Sequence, residues 1–111
     1  MCNKVLYIIL RTDLKWKAGP LVAQGSHAVS LLVHKYHKEM EDYLKLEYAM
    51  RKVVLGVVLD EFVELKEKMQ EDGIQFVEWK EQPENVPTAI AIIPIDPKQR
   101  PDYLMKLKLF K

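Results

Sequence analysis

The sequence predicts one α/β domain: a three-layer α/β/α sandwich around a mixed, mostly parallel central sheet of about four strands. Three observations predict it. Short runs that are apolar on both faces alternate with stretches of helical period. That strand–helix–strand–helix–strand order lays helices over a largely parallel sheet. The last two apolar runs, residues 75–79 and 88–93, are joined by a loop alone. A parallel link needs a longer crossover, so this pair is antiparallel if adjacent, and the sheet is mixed. Finally, 111 residues without a repeat, low-complexity tract or linker suit a single core spanning 1–111.

The elements follow in order. Val5 to Leu10 is apolar on both faces, as a strand covered on both sides must be. A polar connection, residues 11–19, leads to a helix expected to start at Pro20, since proline suits a first helical turn, and to run to about Tyr36. Leu21, Gly25, Ala28 and Leu32 recur at helical spacing, and the small members of that stripe allow close approach to a sheet. Residues 38–49 again have helical period. Val53 to Leu59 is a β-branched, buried strand. Asp60 is the expected cap of the next helix, with Phe62, Leu65 and Met69 inward and Glu64/Lys68 as an outer i,i+4 pair; Gly73 ends it. Strands 75–79 and 88–93 flank a loop with two prolines. A short helix over 102–107 and a small edge element over 107–110 close the chain.

Composition narrows the function classes. Hydrophobic residues are 49% and charged residues 30%, a globular balance that excludes disordered and fibrous classes. Cys2 stands alone and cannot form an internal disulfide. No apolar run nears the roughly 20 residues of a membrane span. The N-terminal run lacks a cleavage site and reads as a strand rather than a signal peptide, so a cytoplasmic protein with no membrane partner is expected. The net charge of +1 argues against strong non-specific nucleic-acid binding, and no DNA partner is expected. Yet residues 1–40 carry six Lys/Arg and two Asp/Glu, a local excess that either holds a phosphate backbone or is merely a solvated face.

In open α/β sheets ligands bind beyond the carboxyl ends of parallel strands. Here that place is Arg11-Thr12-Asp13, followed by Lys15 and Lys17 and a helix start, together a natural anion site. Gln24 and His27 share one stripe of that helix and face one space, or else satisfy nearby backbone groups. Trp16, between two lysines, either stacks on a base or ribose or closes the core. Ser26 has no nucleophile elbow, and Cys2 has no partner. His27, His34 and His37 lack an acidic or cysteine cluster to complete a metal site, and no phosphate-loop or dinucleotide glycine pattern occurs; no metal or cofactor is expected.

The run Leu10-Arg11-Thr12-Asp13-Leu14-Lys15, then Gly19, then Ala23-Gln24-Gly25-Ser26-His27-Ala28 resembles the signature of the archaeal/eukaryotic (class 2) peptidyl-tRNA hydrolases. The spacing from Asp13 to His27 matches without a gap. The stretch Trp79 to Asn85 and the ending Leu109-Phe110-Lys111 are more similar still to the eukaryotic subgroup of peptidyl-tRNA hydrolase domain-containing proteins. The resemblance implies a mixed sheet between helices, frequent homodimers, and metal-independent cleavage of the ester between a peptide and the terminal ribose of tRNA. Carried over residue by residue, Lys15 binds phosphate or polarises the ester carbonyl, Gln24 holds substrate or water, Asp13 orients the lysine, and His27 or Glu81 is the candidate base. Arg11, Trp16, Lys17, Gln82 and Asn85 are candidate substrate contacts. Two departures stand out. The last lysine of the family's glycine–lysine run falls on Pro20, and its later D-A-G-x-T segment has become Trp79 to Pro83. They keep open a second reading, a catalytically impaired tRNA- or protein-binding module on the same fold.

Overall fold

The computed structural model describes residues 2–111. The elements run β1 (Leu6–Arg11), α1 (Ala18–Tyr36), α2 (Glu41–Leu44), β2 (Lys52–Val57), α3 (Leu59–Glu71), β3 (Phe76–Glu81), β4 (Val86–Ile92), α4 (Asp102–Met105) and β5 (Lys108–Leu109). Among the described residues the strands form one mixed five-stranded sheet in the order β3-β4-β1-β2-β5.

The sheet corrects the expectation of mostly parallel pairing. Only β1 and β2 pair in parallel, Leu6 opposite Lys52 through Arg11 opposite Val57. The pairs β1–β4, β2–β5 and β3–β4 are antiparallel. The cause lies in strand order. β1, β2 and β3 do run the same way, as their helical crossovers require, but β4 returns from β3 by a short turn and slots between β3 and β1. β1 and β3 are thereby kept apart, and the parallel pair they could have made is replaced by two antiparallel ones. The strand count is also five rather than about four, because residues 108–109 close on β2.

Alternation along β1 divides the core. Leu6, Ile8 and Leu10 join Ala28 and Leu32 of α1, while Val5, Tyr7 and Ile9 join Phe62, Leu65 and Met69 of α3. β1 is buried along its whole length, as its doubly apolar sequence demands, whereas β2, flanked on its outer side by only the two-residue β5, is partly buried. Helix boundaries shift modestly. α1 begins at Ala18, so Pro20 sits within the first turn, and residues 38–49 break into the one-turn α2 and a 3-10 turn at Glu47–Ala49. Val58, not Asp60, precedes α3, and its N–H is satisfied by Glu61 Oε1 at 2.9 Å, while Asp60 lies in the first turn. Glu64 and Lys68 pair at 2.8 Å as expected.

Because β1 and β3 point the same way, the residues that end them share one end of the sheet. The N-terminus of α1 and the start of β4 lie at that same end, which fixes where polar chemistry can gather.

Candidate functional site

Burying a polar side chain costs free energy unless it is hydrogen-bonded, so buried polar residues mark deliberate structure. Among the described residues the buried polar or charged ones are Arg11, Gln24 and Thr88. All three stand at the sheet end just described, in one string of contacts.

The string starts after β1. The Arg11 guanidinium donates to both oxygens of Asp13, at 3.1 and 2.8 Å, and to the carbonyl oxygen of Pro87 at 3.0 Å. The β1 loop is thus tied to the start of β4. One residue on, the Thr88 hydroxyl donates to Gln24 Oε1 at 2.8 Å. The Gln24 amide, thereby oriented, donates from Nε2 to Glu81 Oε2 at 3.1 Å. Trp79 Nε1–H donates to the other carboxylate oxygen, Oε1, at 3.1 Å. His27 lies stacked on Trp79, ring centroids 4.6 Å apart and planes 24° from parallel.

A β-bulge aims the threonine. Trp79 pairs with Ala89 but Lys80 with Pro87, so Thr88 opposes no residue of β3. Ala89 and Ala91 belong to the cluster beneath α1, and regular alternation would turn Thr88 away from it. The extra residue breaks that alternation and lets the hydroxyl reach Gln24. Pro87 is tolerated in β4 for the same local reason.

Two carboxylates are held ionised. The hydrogen bonds from Arg11 hold Asp13 below its ordinary carboxylate range. Those from Trp79 first, then Gln24, with the nearby His27 adding a smaller pull, do the same for Glu81.

The candidate residues from the sequence therefore divide. Gln24, His27 and Glu81 come together, although Gln24 is 1% exposed and acts on Glu81 rather than on solvent. Asp13 pairs with Arg11 and makes no ion pair with Lys15; Arg11 is itself buried and committed to protein partners. Lys15 and Lys17 are exposed and, among the described residues, form no ion pair. Lys15 is held at φ +58°, a left-handed conformation costly for a lysine, while Lys17 ends at the mouth of α1, whose first turn has no acidic residue and no side-chain cap. Trp16 is half-buried in that loop. Gln82 and Asn85 lie in the β3–β4 turn and bond to each other at 3.0 Å, with Asn85 at φ +60°. Among the described residues no group of His, Cys, Asp and Glu is arranged to hold a metal.

Sequence reasoning missed Thr88 and Trp79. The signal for Thr88 was a lone hydroxyl opening an otherwise apolar run; for Trp79 it was an indole two residues before a glutamate on one strand. An apolar groove of about 570 Å³ lies along the other flank of α1, against Ile8, Leu10, Val54 and Phe110. Lys52 is the one titratable side chain lining it, so it is separate from this network.

The family model for peptidyl-tRNA hydrolase PTH2 matches residues 4–110. The mouse (Mus musculus) and human (Homo sapiens) proteins named "Putative peptidyl-tRNA hydrolase PTRHD1" are each 40% identical to this chain over 115 residues, covering 96% of it and 82% of their own length.

Proposed function

Since the chain belongs to the peptidyl-tRNA hydrolase PTH2 family, we propose that it hydrolyses the ester between a peptide and the 3′-terminal ribose of tRNA. One observation supports this most: the buried Thr88 and Gln24 lead in series to a single exposed-edge carboxylate, Glu81, beside an exposed imidazole. A fold with no chemistry to perform gains nothing from burying an amide and a hydroxyl to aim a carboxylate.

In this reading His27, exposed beside the network, takes a proton from water as the oxygen attacks the ester carbonyl. The pair of electrons displaced onto the carbonyl oxygen is met by the Lys15 ammonium; as it returns to re-form the carbonyl, the ester C–O bond breaks and the ribose 3′-oxygen leaves with the proton that His27 took from water. Glu81 is held too firmly ionised to be the better base, and it serves as a fixed negative acceptor. Lys17 and the open N-terminus of α1 hold backbone phosphate. Gln24, Thr88 and Trp79 position Glu81. No metal or cofactor enters the reaction.

The same reading takes residues 1–111 as one domain with α/β/α layering, supported by the two core clusters on alternate residues of β1. It places the protein in the cytoplasm, in translation, as a homodimer. Among the described residues no helix is long and apolar enough to cross a membrane. The test is steady-state cleavage of a model peptidyl-tRNA by purified protein. Turnover above the buffer rate supports the hydrolase. Tight tRNA binding with no turnover, under conditions where another family member is active, favours the impaired binding module.

A further inference from the structure

Glu81 has spare capacity. An ionised carboxylate offers about four lone-pair sites. Side chains take two, one on each oxygen, through Trp79 Nε1–H and Gln24 Nε2–H, and the Gln82 backbone N–H draws on a third. Both side-chain donors are themselves anchored, Gln24 by Thr88 and Trp79 by its stack with His27, so the carboxylate cannot turn to suit a ligand. A rigid acceptor with a free lone pair selects a donor at a set position. Such rigidity is unnecessary for attracting a cation. His27, whose charge acts on the carboxylate, stacks on Trp79 rather than bonding the carboxylate itself, and leaves the remaining lone pair open. A half-exposed carboxylate beside an aromatic face is the chemistry that recognises a nucleoside: the acceptor takes a ribose hydroxyl, and the ring takes the base.

We infer that Glu81 accepts a hydrogen bond from the 2′-hydroxyl of the substrate's terminal ribose, with the exposed face of His27 on Trp79 as the platform for the terminal base. Glu81 is then a specificity residue: it reads the substrate's end as RNA, because the 2′-hydroxyl is the group that separates RNA from DNA. The inference rests on the hydrolase reading for the identity of the ligand. It adds that the sugar next to the cleaved ester is recognised by a donor on the ligand, not by charge alone.

The experiment measures binding, so that it does not depend on turnover. The probe is an acceptor-stem RNA hairpin whose terminal 3′-amino-3′-deoxyadenosine carries an acetylated dipeptide through an amide, which resists hydrolysis. Two versions differ at the last sugar, one with a 2′-hydroxyl and one with 2′-fluoro, which preserves the sugar pucker but cannot donate. The native protein should bind the hydroxyl version about ten- to a hundredfold more tightly, the value of one hydrogen bond to a charged group. In Glu81→Ala, checked for folding by thermal melting, that ratio should fall to about one. Glu81→Leu, close in size and without an acceptor, serves where the alanine variant does not fold, and the ratio should again fall to about one. Equal binding of both probes by the native protein overturns the inference and leaves the hydrolase reading standing. A ratio unchanged in the Glu81 variants assigns the 2′-hydroxyl to another residue and also overturns it. Failure to bind either probe, with no cleavage of peptidyl-tRNA, overturns the inference together with the reading beneath it.

Discussion

At 1% exposure, Gln24 can hold its amide only one way round, because Thr88 supplies a donor and Glu81 an acceptor. Thr88→Val removes the donor and leaves Gln24 Oε1 buried without a partner. Chemical denaturation should show a loss of about 1–3 kcal/mol, and Thr88→Ser, which keeps the hydroxyl, should lose clearly less. Glu81 carries a pH signature. Its folded-state pKa lies below the ordinary 4.5, chiefly through the Trp79 hydrogen bond. The stability it contributes is therefore present above about pH 4.5 and is lost as pH falls through the lower folded value. Trp79→Phe removes that donor, so the Glu81 side-chain carbon followed by NMR should titrate at higher pH than in the native protein. An unmoved titration would show that Trp79 does not hold the carboxylate. Lys15 is the third case, since its φ of +58° suits glycine better than lysine. Lys15→Gly should leave the melting temperature equal or higher while weakening tRNA binding. That outcome would identify backbone strain kept for the sake of the ammonium group.

Among the elements, two glycines make opposite predictions. Gly56 in β2 faces crowding: a Cβ there would stand 2.7 Å from Thr12 Cγ2 and 3.2 Å from Phe110 Cδ2. Thr12 must then give up its present rotamer, in which its hydroxyl donates to Val57 O at 3.3 Å, and Phe110 with the two-residue β5 must give way as well. Gly56→Ala should cost about 1–3 kcal/mol, with loss of protection at the Phe110 amide, which donates to Val54 O at 3.0 Å. Gly25 in α1 meets only ordinary contacts, 3.5 Å to Ile8 and 4.0 Å to Leu10. Gly25→Ala should stabilise by up to about 1 kcal/mol through helix propensity. Equal effects at the two sites would mean that close packing of Phe110 does not explain Gly56. The bulge in β4 belongs to this scale as well. It is one residue of misalignment, and it turns a buried threonine near the start of β4 into the anchor of the candidate site.

For the whole molecule the decisive quantity is charge in space. The net charge is only +1, yet Lys15 and Lys17 flank the open end of α1 while the nearest acid in sequence, Asp13, is spent on Arg11. Reversing Lys15 and Lys17 to glutamate should weaken tRNA binding and make its dependence on salt shallower, because fewer counterions are released. Identical affinity at every ionic strength would place the RNA surface elsewhere. Much of this organisation was legible beforehand. The Asp13-to-His27 spacing pointed to the family, and of the three runs read as covered strands, β1 and β4 are buried while β2 is only partly so. The roles of Trp16 and Trp79 were not legible, since composition alone cannot say which indole a helix will meet.

What the sequence determined by itself was local and periodic. It set which runs are strands, which face of α1 and of α3 is apolar, where Gly73 ends a helix, and that no cysteine pair or apolar span imposes another class of fold. These follow from side-chain period and backbone preference within a few residues. The tertiary structure alone decided which strands are neighbours. β4 lies between β1 and β3 because the β3–β4 turn is short and its doubly apolar strand needs cover on both sides, and this turned an expected mixed, mostly parallel sheet into a mixed, mostly antiparallel one. The same insertion carries Thr88 to Gln24, and Gln24 to Glu81, across 64 and 57 residues of chain. No period in the sequence encodes a hydrogen bond over such a distance; it exists because a buried amide must find partners wherever the packed chain brings them.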